Sequence, residues 1–151
     1  MSNRNQTGRN PASPRRRVRR GGSVLEAALV LPILVLITLP MIEFAQLFFV
    51  KHTFAAATRD GARKAILASV VHADAETAVR TTMSASGIGP TKYTLTFTNA
   101  STNATIADVG AATSGTGIKV TVTANYANVG YPQWFLRGAK TVTGVSTMIK
   151  E

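Results

Sequence analysis

The stretch that decides the fold is Val24–Val50, which reads VLEAALVLPILVLITLPMIEFAQLFFV. Its uncharged core, Ala27–Ile42, would form about 24 Å of helix, slightly less than a hydrocarbon core of about 30 Å. The apolar residues flanking Glu26 and Glu43 lengthen the segment enough to span a bilayer. Apolar side chains fall on every face of this helix, which argues against a soluble amphipathic helix. The sequence therefore predicts one transmembrane helix over residues 22–50.

The chain preceding the span carries most of the positive charge. Residues 1–20 hold seven arginines and no acid, whereas the rest has ten Lys or Arg against seven Asp or Glu. The arginines nearest the span are Arg15, Arg16, Arg17, Arg19 and Arg20. This asymmetry predicts a basic cytoplasmic leader, residues 1–21, and an extracytoplasmic body. A basic tail also attracts nucleic acid, but beside a membrane segment we expect membrane lipids as its partner and no specific nucleic acid.

Beyond the span, residues 51–88 keep a helical pattern outside the membrane. Ala57, Gly61 and Ala65 recur every four residues, and such a stripe of small side chains lets another element pack closely. We expect the first helix to continue to about Val70. A short second helix follows, with Asp74 as its N-cap and a glycine at position 87 as its stop.

Residues 89–151 change to a composition rich in Thr, Val, Asn and Gly, which predicts an antiparallel β domain. Tyr93, Leu95 and Phe97 alternate with polar residues, as half-buried strand residues do. The segment IKVTVTANY alternates in the same way from Ile118 to Tyr126, and residues 141–149 form a third strand with Gly144 as a weak point. The predicted class is α+β: one N-terminal transmembrane helix extended into a small domain with a short helix and about three strands.

The residue types present do not suggest catalysis. Without cysteine, the chain has no disulfide, thiolate ligand or cysteine nucleophile. His52 and His72 stand 20 residues apart with no cluster of acids beside them, which does not indicate a metal site. The sequence contains no nucleophile elbow, phosphate loop or dinucleotide fingerprint. We therefore expect a protein that is not an enzyme and needs no cofactor.

Two stretches carry a family resemblance. RRGGSVLEAALVLPILVL and IEFAQLFFVKHTFAAATRDGARKA together resemble the TadE-like minor pilins, or pseudopilins, of the Flp/Tad type IV pilus system, over residues 20–65. The resemblance implies cleavage by a prepilin peptidase between Gly21 and Gly22, which would make Glu26 the fifth residue of the mature chain. Because the glycine is doubled, cleavage after the second glycine is the alternative. That cut would make Glu26 the fourth residue. The resemblance implies that the glutamate at the fifth position pairs with the N-terminal amine of a neighbouring subunit.

The physical chemistry of the span agrees with that role. A charged side chain inside a membrane costs a few kcal/mol at the centre and less near an end, and pairing with an ammonium group offsets the cost. Glu43, near the other end of the span, is expected to snorkel towards the interface, with helix packing as the alternative.

The expected function is that of a non-enzymatic, single-pass minor pilin. It would sit in the bacterial inner membrane, be processed by a prepilin peptidase, and help to assemble a Flp/Tad surface pilus with other pilin subunits and the Tad machinery. Such fibres serve adhesion or secretion-type machinery. The alternative is a bitopic membrane protein whose extracytoplasmic domain binds a ligand or the cell wall and never polymerises.

Overall fold

The computed structural model describes residues 20–129 and 140–151. The elements are the helices α1 (Arg20–Ala65), α2 (His72–Ala85) and α3 (Tyr126–Val129), the 3-10 turn Pro90–Lys92, and the strands β1 (Thr94–Asn99), β2 (Gly117–Asn125) and β3 (Thr141–Ile149). This arrangement confirms the predicted α+β class: a long apolar N-terminal helix, a short helix and a three-stranded antiparallel sheet. Arg15, Arg16, Arg17 and Arg19 lie outside the described residues.

The sheet is a meander in the order β1-β2-β3, with both neighbouring pairs antiparallel. Ile118, Val120, Val122 and Ala124 are buried, as their alternation with polar residues predicts. The next apolar position, Tyr126, is also buried, but it begins α3 instead of continuing the strand. Every second residue of each strand points away from the core. The opposite face of the sheet is therefore largely made of threonine, with Val145 and Ile149 as exposed apolar side chains.

The second helix begins earlier than expected. Its N-cap is Val71, which makes no side-chain capping bond, and Asp74 lies in the first turn, so the prediction of Asp74 as N-cap is wrong. An acid in the first turn still stabilises the helix, because its negative charge interacts favourably with the positive end of the helix dipole. The predicted stop is confirmed: Gly87 has φ +76°, and Ile88 N–H donates to the Met83 carbonyl oxygen at 3.0 Å. This Schellman ending places Ile88 and Met83 side by side in the core.

The chain divides into two compact units, Met1–Leu36 and Ile37–Glu151. The described part of the first unit is helical throughout. In the second unit, the sheet and α2 bury one face of α1 in a core whose largest fully buried side chains include Phe54, Met83 and Tyr126. The first helix ends at Ala65, short of the expected Val70, because the chain turns there and brings Val70 into the core.

A candidate membrane helix and its assembly residues

The first helix contains a segment that is long and apolar enough to cross a membrane. The candidate span lies within Gly21–Ala65, and its most apolar 18-residue window has a mean hydropathy of 2.4 with no part buried. Every side chain from position 21 to Thr38 is exposed. An exposed apolar run of this length has no favourable place in water, because burying apolar surface is the dominant favourable term in folding and association.

Glu26 lies in the first turns of this apolar run. Its side chain is exposed, and the neighbouring Leu25 and Leu29 are 76% and 69% exposed. Within residues 20–129 and 140–151, its carboxylate has no hydrogen bond or ion pair. An acid at this point on an apolar helix is available to a cation from another molecule, and in a low-dielectric surrounding such a pair is much stronger than in water.

The doubled glycine falls at the very start of α1. Among the described residues, a Cβ atom added at Gly21 or Gly22 would meet nothing within 4 Å, so close packing there does not require either glycine. Glycine is about 1 kcal/mol less favourable than alanine in a helix. The two glycines therefore make the first turn of α1 easier to unwind than two alanines would. Arg20, the last of the arginine cluster, is the first residue of that turn.

Glu43 is 7% exposed and belongs to the second unit, so the expectation that it snorkels out of the span is wrong. Its backbone carbonyl oxygen accepts a hydrogen bond of 3.5 Å from the Tyr126 hydroxyl. Burial raises the pKa of the Tyr126 hydroxyl, and the negative charge of Glu43 raises it further. The sequence alone did not reveal this contact, because the two residues are far apart in the chain.

The stripe of small residues lies on the buried face of α1. Ala57 and Ala65 are fully buried. Gly61 lies against α2 and the sheet: a Cβ added there would collide with Val79 Cγ2 and come within 3.6 Å of Val120 Cγ1. The helix backbone therefore approaches α2 more closely than a side chain at position 61 would allow, whereas its distance to the sheet is that of ordinary van der Waals contact.

Gly144 in β3 plays a similar part from the sheet side. A Cβ built on it would stand 2.7 Å from both the carbonyl carbon and the carbonyl oxygen of Phe54. The sequence marked this glycine as a weak point in a strand, whereas the structure shows a close approach of two backbones. A lone glycine within an alternating strand is the sequence signal for such an approach.

Lys150 is a buried lysine that the sequence did not predict. It is only 5% exposed, and its ammonium group donates hydrogen bonds to the carbonyl oxygens of Val109 and Gly110, the latter at 3.0 Å. His72 holds the same loop from the other side, since its Nδ1 accepts the Val109 N–H at 3.4 Å. Both side chains thus fix the long β1–β2 loop.

The two histidines have different surroundings in the part of the chain that the structure describes. His72 packs edge-on against Phe97, with ring centroids 4.8 Å apart, and its Nε2 lies 3.8 Å from a carboxylate oxygen of Glu76. Among the described residues there is no group of three or more His, Asp or Glu that could hold a metal ion. His52 is exposed on α1.

Comparison with known proteins gives a family match for the N-terminal helix. No curated protein and no solved structure matches the chain. Residues 21–63 match the family described as TadE-like protein. These residues coincide with α1 from its second residue almost to its end. The match confirms the resemblance drawn from the sequence: over residues 21–63 the chain is similar to TadE-like proteins.

Proposed function

We propose that this protein is a membrane-anchored, non-enzymatic pseudopilin that takes part in assembling a Flp/Tad surface pilus. The single observation that carries the proposal is the Glu26 carboxylate, which has no partner among the described residues and lies in an exposed apolar helix that matches the TadE-like family. An ordinary membrane anchor gains nothing from an acid at this place, because each buried charge without a partner destabilises insertion.

The proposed partner of Glu26 is the free amine of another subunit. Cleavage after Gly21 would create a new N-terminal ammonium group at Gly22, on the same stretch of helix as the carboxylate. Placing the ammonium group of one subunit beside the carboxylate of the next would satisfy both charges inside the membrane or fibre. It would also fix the axial register between neighbouring helices, as a single buried polar pair does in helical assemblies.

The glycine pair supports processing at this site. A peptidase needs the scissile bond in an accessible, extended form, and the first turn of α1 opens at small cost because it contains two glycines. No atom of the described residues lies within 4 Å of a Cβ built on either glycine. The prepilin peptidase is thus a proposed partner, together with other pilin subunits, the Tad assembly machinery and membrane lipids.

The proposed orientation follows the arginines. With the N-terminus in the cytoplasm, Arg15, Arg16, Arg17, Arg19 and Arg20 remain on the side that the positive-inside rule favours. Residues 51–151 then lie outside the bacterial inner membrane, where they form the domain that a fibre or assembly complex would display.

The mature N-terminus tests processing directly. Mass spectrometry of the protein isolated from membranes of its host should find Gly22 as the first residue. A chain that begins at Ser23 would shift the cut by one bond and leave the mechanism intact. An uncleaved chain would contradict the proposal and favour the bitopic alternative, in which an extracytoplasmic domain binds a ligand or the cell wall without polymerising.

Assembly is tested by Glu26→Gln, which removes the charge and keeps the shape of the side chain. The variant should insert into the membrane as well as the original protein, yet it should fail to co-purify with pili or with other pilin subunits. Glu26→Asp, which keeps the charge, should retain part of the co-purification with pili that Glu26→Gln loses. The matched control is Glu76→Gln, a change of an acid on the surface of α2. Normal assembly in Glu26→Gln would overturn the proposed role of the carboxylate.

A further inference from the structure

The outer edge of β3 carries a row of backbone groups that have no partner among residues 20–129 and 140–151. At the two ends of the strand, the Lys140 carbonyl oxygen accepts from the Tyr126 N–H, and the Lys150 N–H donates to the Thr116 carbonyl oxygen, so both bonds lie on the β2 side. Because the bonds of an antiparallel ladder alternate along a strand, the even-numbered residues of β3 bond to β2 and the odd-numbered ones face away from it. The backbone groups of five residues therefore point to the open edge: Thr141, Thr143, Val145, Thr147 and Ile149.

The other edge of the sheet is closed by the chain itself. Along β1, the Phe97 carbonyl oxygen accepts from the Ile106 N–H, and the Asn99 N–H donates to the Ala104 carbonyl oxygen, each at 2.8 Å. The loop that follows β1 thus takes up the outward groups of that strand. No described residue covers β3 in this way, so the described sheet has one closed edge and one open edge.

Strand β3 also lacks the features by which proteins prevent pairing at an open edge. Its nine residues contain no proline and no charged side chain, and it pairs with β2 in continuous register without a bulge. Such an edge is a template for another strand. Val145 and Ile149, two of the edge residues, are 54% and 67% exposed. A strand added there would therefore also cover apolar surface.

We propose that this open edge, which we name the β3 edge, binds an extended segment of another polypeptide as a fourth strand. A row of alternating N–H and C=O groups is matched by the backbone of an extended chain, whereas a helix satisfies its own groups internally and a lipid has no such row. The edge covers nine positions, which sets the length of the segment at about nine residues. The inference goes beyond the proposed pilus function, since it requires neither cleavage nor polymerisation.

The direction of α1 argues against a second copy of this chain as the occupant. Helix and strand run the same way: the Phe54 backbone lies against Gly144, and further along both elements the Glu151 N–H donates to the Ile66 carbonyl oxygen at 3.2 Å. Two copies paired antiparallel through their β3 edges would therefore have oppositely directed α1 helices. Exposed apolar residues of α1 within the second unit, such as Met41, would then lie at opposite ends of the dimer, and one membrane could not receive both.

A parallel pair of β3 strands is excluded by the pleat. A two-fold axis along the strands would place the same residue of both copies at one level but on opposite faces, whereas neighbouring parallel strands point their side chains to the same face at each level. The occupant is therefore a segment of a different chain.

Charge defines the two ends of the segment. Lys140 is exposed just before β3 and Glu151 is exposed just after it, whereas Lys150 is buried and bound to the β1–β2 loop. The matching segment is uncharged in its middle, with an acid beside Lys140 and a base beside Glu151. In the antiparallel orientation the base comes first and the acid last. A synthetic peptide of residues 140–151 begins with lysine and ends with glutamate, and without α1 it is free of the membrane constraint, so it serves as the probe.

The first test measures amide hydrogen exchange of the full-length chain in detergent micelles by NMR. In the free protein the amides of Thr143, Val145 and Thr147 should exchange much faster than those of Val142 and Gly144, which bond to β2. A saturating amount of the peptide should slow the first three by about tenfold or more and leave the amides of β1 unchanged. Unchanged exchange of the first three would overturn the proposal.

The second test changes one edge residue. Val145→Pro removes the central N–H of the β3 edge and leaves the bonds to β2 in place, because proline is tolerated where the N–H faces away from the sheet. Fluorescence anisotropy of the labelled peptide should show binding about tenfold weaker. Val145→Thr, the matched control, keeps the N–H and the β-branched shape and should bind the peptide as the original protein does. Circular dichroism checks that both variants are folded. Equal affinity of the two variants would contradict backbone pairing at this edge.

Cross-linking identifies the register and the occupant, because the chain has no cysteine of its own. The Val145→Cys chain should form a disulfide with a peptide that carries the same substitution, since residues opposite each other in a hydrogen-bonded pair have Cα atoms about 5.5 Å apart. Thr96→Cys, an exposed position of β1, should not. Disulfides between two full-length Val145→Cys chains would overturn the proposal, because the occupant would then be a second copy. Cleavage at the glycine pair is measured on the same samples, so a failure here is separable from a failure of pilin processing.

Discussion

Gly144 of β3 lies directly against the backbone of Phe54 in α1, so close that a Cβ atom on the glycine would stand 2.7 Å from the Phe54 carbonyl group. Backbone atoms cannot rotate out of the way as a side chain can. The contact therefore sets the distance between the first helix and the sheet. Glycine is required at position 144 because there is no space for a Cβ atom, and the backbone angles there are ordinary.

Replacing this glycine should separate the helix from the strand. We expect Gly144→Ala to lower the free energy of unfolding by about 1–3 kcal/mol, the usual cost of overpacking a core. Denaturant unfolding of the full chain in detergent micelles, followed by circular dichroism, measures the change. The control is Gly89→Ala: that glycine has φ −69° and open space around its Cα, so the effect should stay within about 0.5 kcal/mol. Equal stability of the two variants would show that β3 does not rest on α1.

The packing of α1 on α2 is tested at Gly61. A methyl group there collides with Val79 Cγ2, so Gly61→Ala should cost about 1–3 kcal/mol of unfolding free energy. Val79→Ala alone should also destabilise, because it leaves a cavity. In the double variant the new methyl group takes the space of the lost ones, so its cost should be smaller than the sum of the single costs. Additive costs in a thermal unfolding series would contradict the contact.

The buried lysine should be needed to hold the β1–β2 loop. In Lys150→Met the carbonyl oxygens of Val109 and Gly110 lose their donor, so we expect a loss of about 1–3 kcal/mol. Hydrogen exchange of residues 100–116 should become faster, because the loop loses an anchor. Lys140→Met changes an exposed lysine and should leave both quantities nearly unchanged. Unaltered exchange in Lys150→Met would mean that His72 and the backbone suffice to hold the loop.

Stability should depend on the ionisation of Tyr93 in alkaline solution. Burial raises the pKa of this hydroxyl above its ordinary value of 10.0; the nearby Arg80 partly lowers it and Glu76 raises it. Because the folded state holds the proton more tightly than the unfolded chain, this contribution to stability is present below pH 10 and is lost as the pH rises through the folded pKa.

The measurement for Tyr93 is the free energy of unfolding on either side of pH 10, compared with that of Tyr93→Phe. Stability of the original protein should fall more steeply with rising pH than that of the variant. Absorbance of the phenolate in the folded protein should appear at higher pH than in the unfolded chain. The pKa of the Tyr126 hydroxyl is also raised. The stability of the Tyr93→Phe variant should therefore still fall with rising pH, but less steeply. Identical slopes would exclude a contribution from Tyr93.

The elements that were predicted correctly are those with a strong local pattern. The alternation from Ile118 to Ala124 defined the buried side of β2, and the third strand falls on residues 141–149 as expected. Gly87 ended α2 because its positive φ suits glycine. The apolar run and the glycine–glutamate spacing predicted a resemblance to TadE-like proteins, which the match over residues 21–63 confirms for that segment.

The features that were not predicted depend on contacts between distant parts of the chain. Asp74 is a residue type that is favoured as N-cap, but the helix begins two residues before it. The start of the helix follows the turn that buries Val70 in the core, and it does not follow the N-cap preference of Asp74. Glu43 is buried because the second unit covers it, and no local rule can foresee that cover. The burial of Lys150 likewise depends on the loop that folds over it.

The glycine contacts also have a mechanical meaning. Force applied to the sheet passes to α1 through backbone atoms of Gly144 and Phe54 that touch directly, with no flexible side chain between them to stretch or tilt. The contact between the helix and the sheet therefore resists compression strongly. A push on the sheet would therefore reach the helix without first deforming side chains between the two elements.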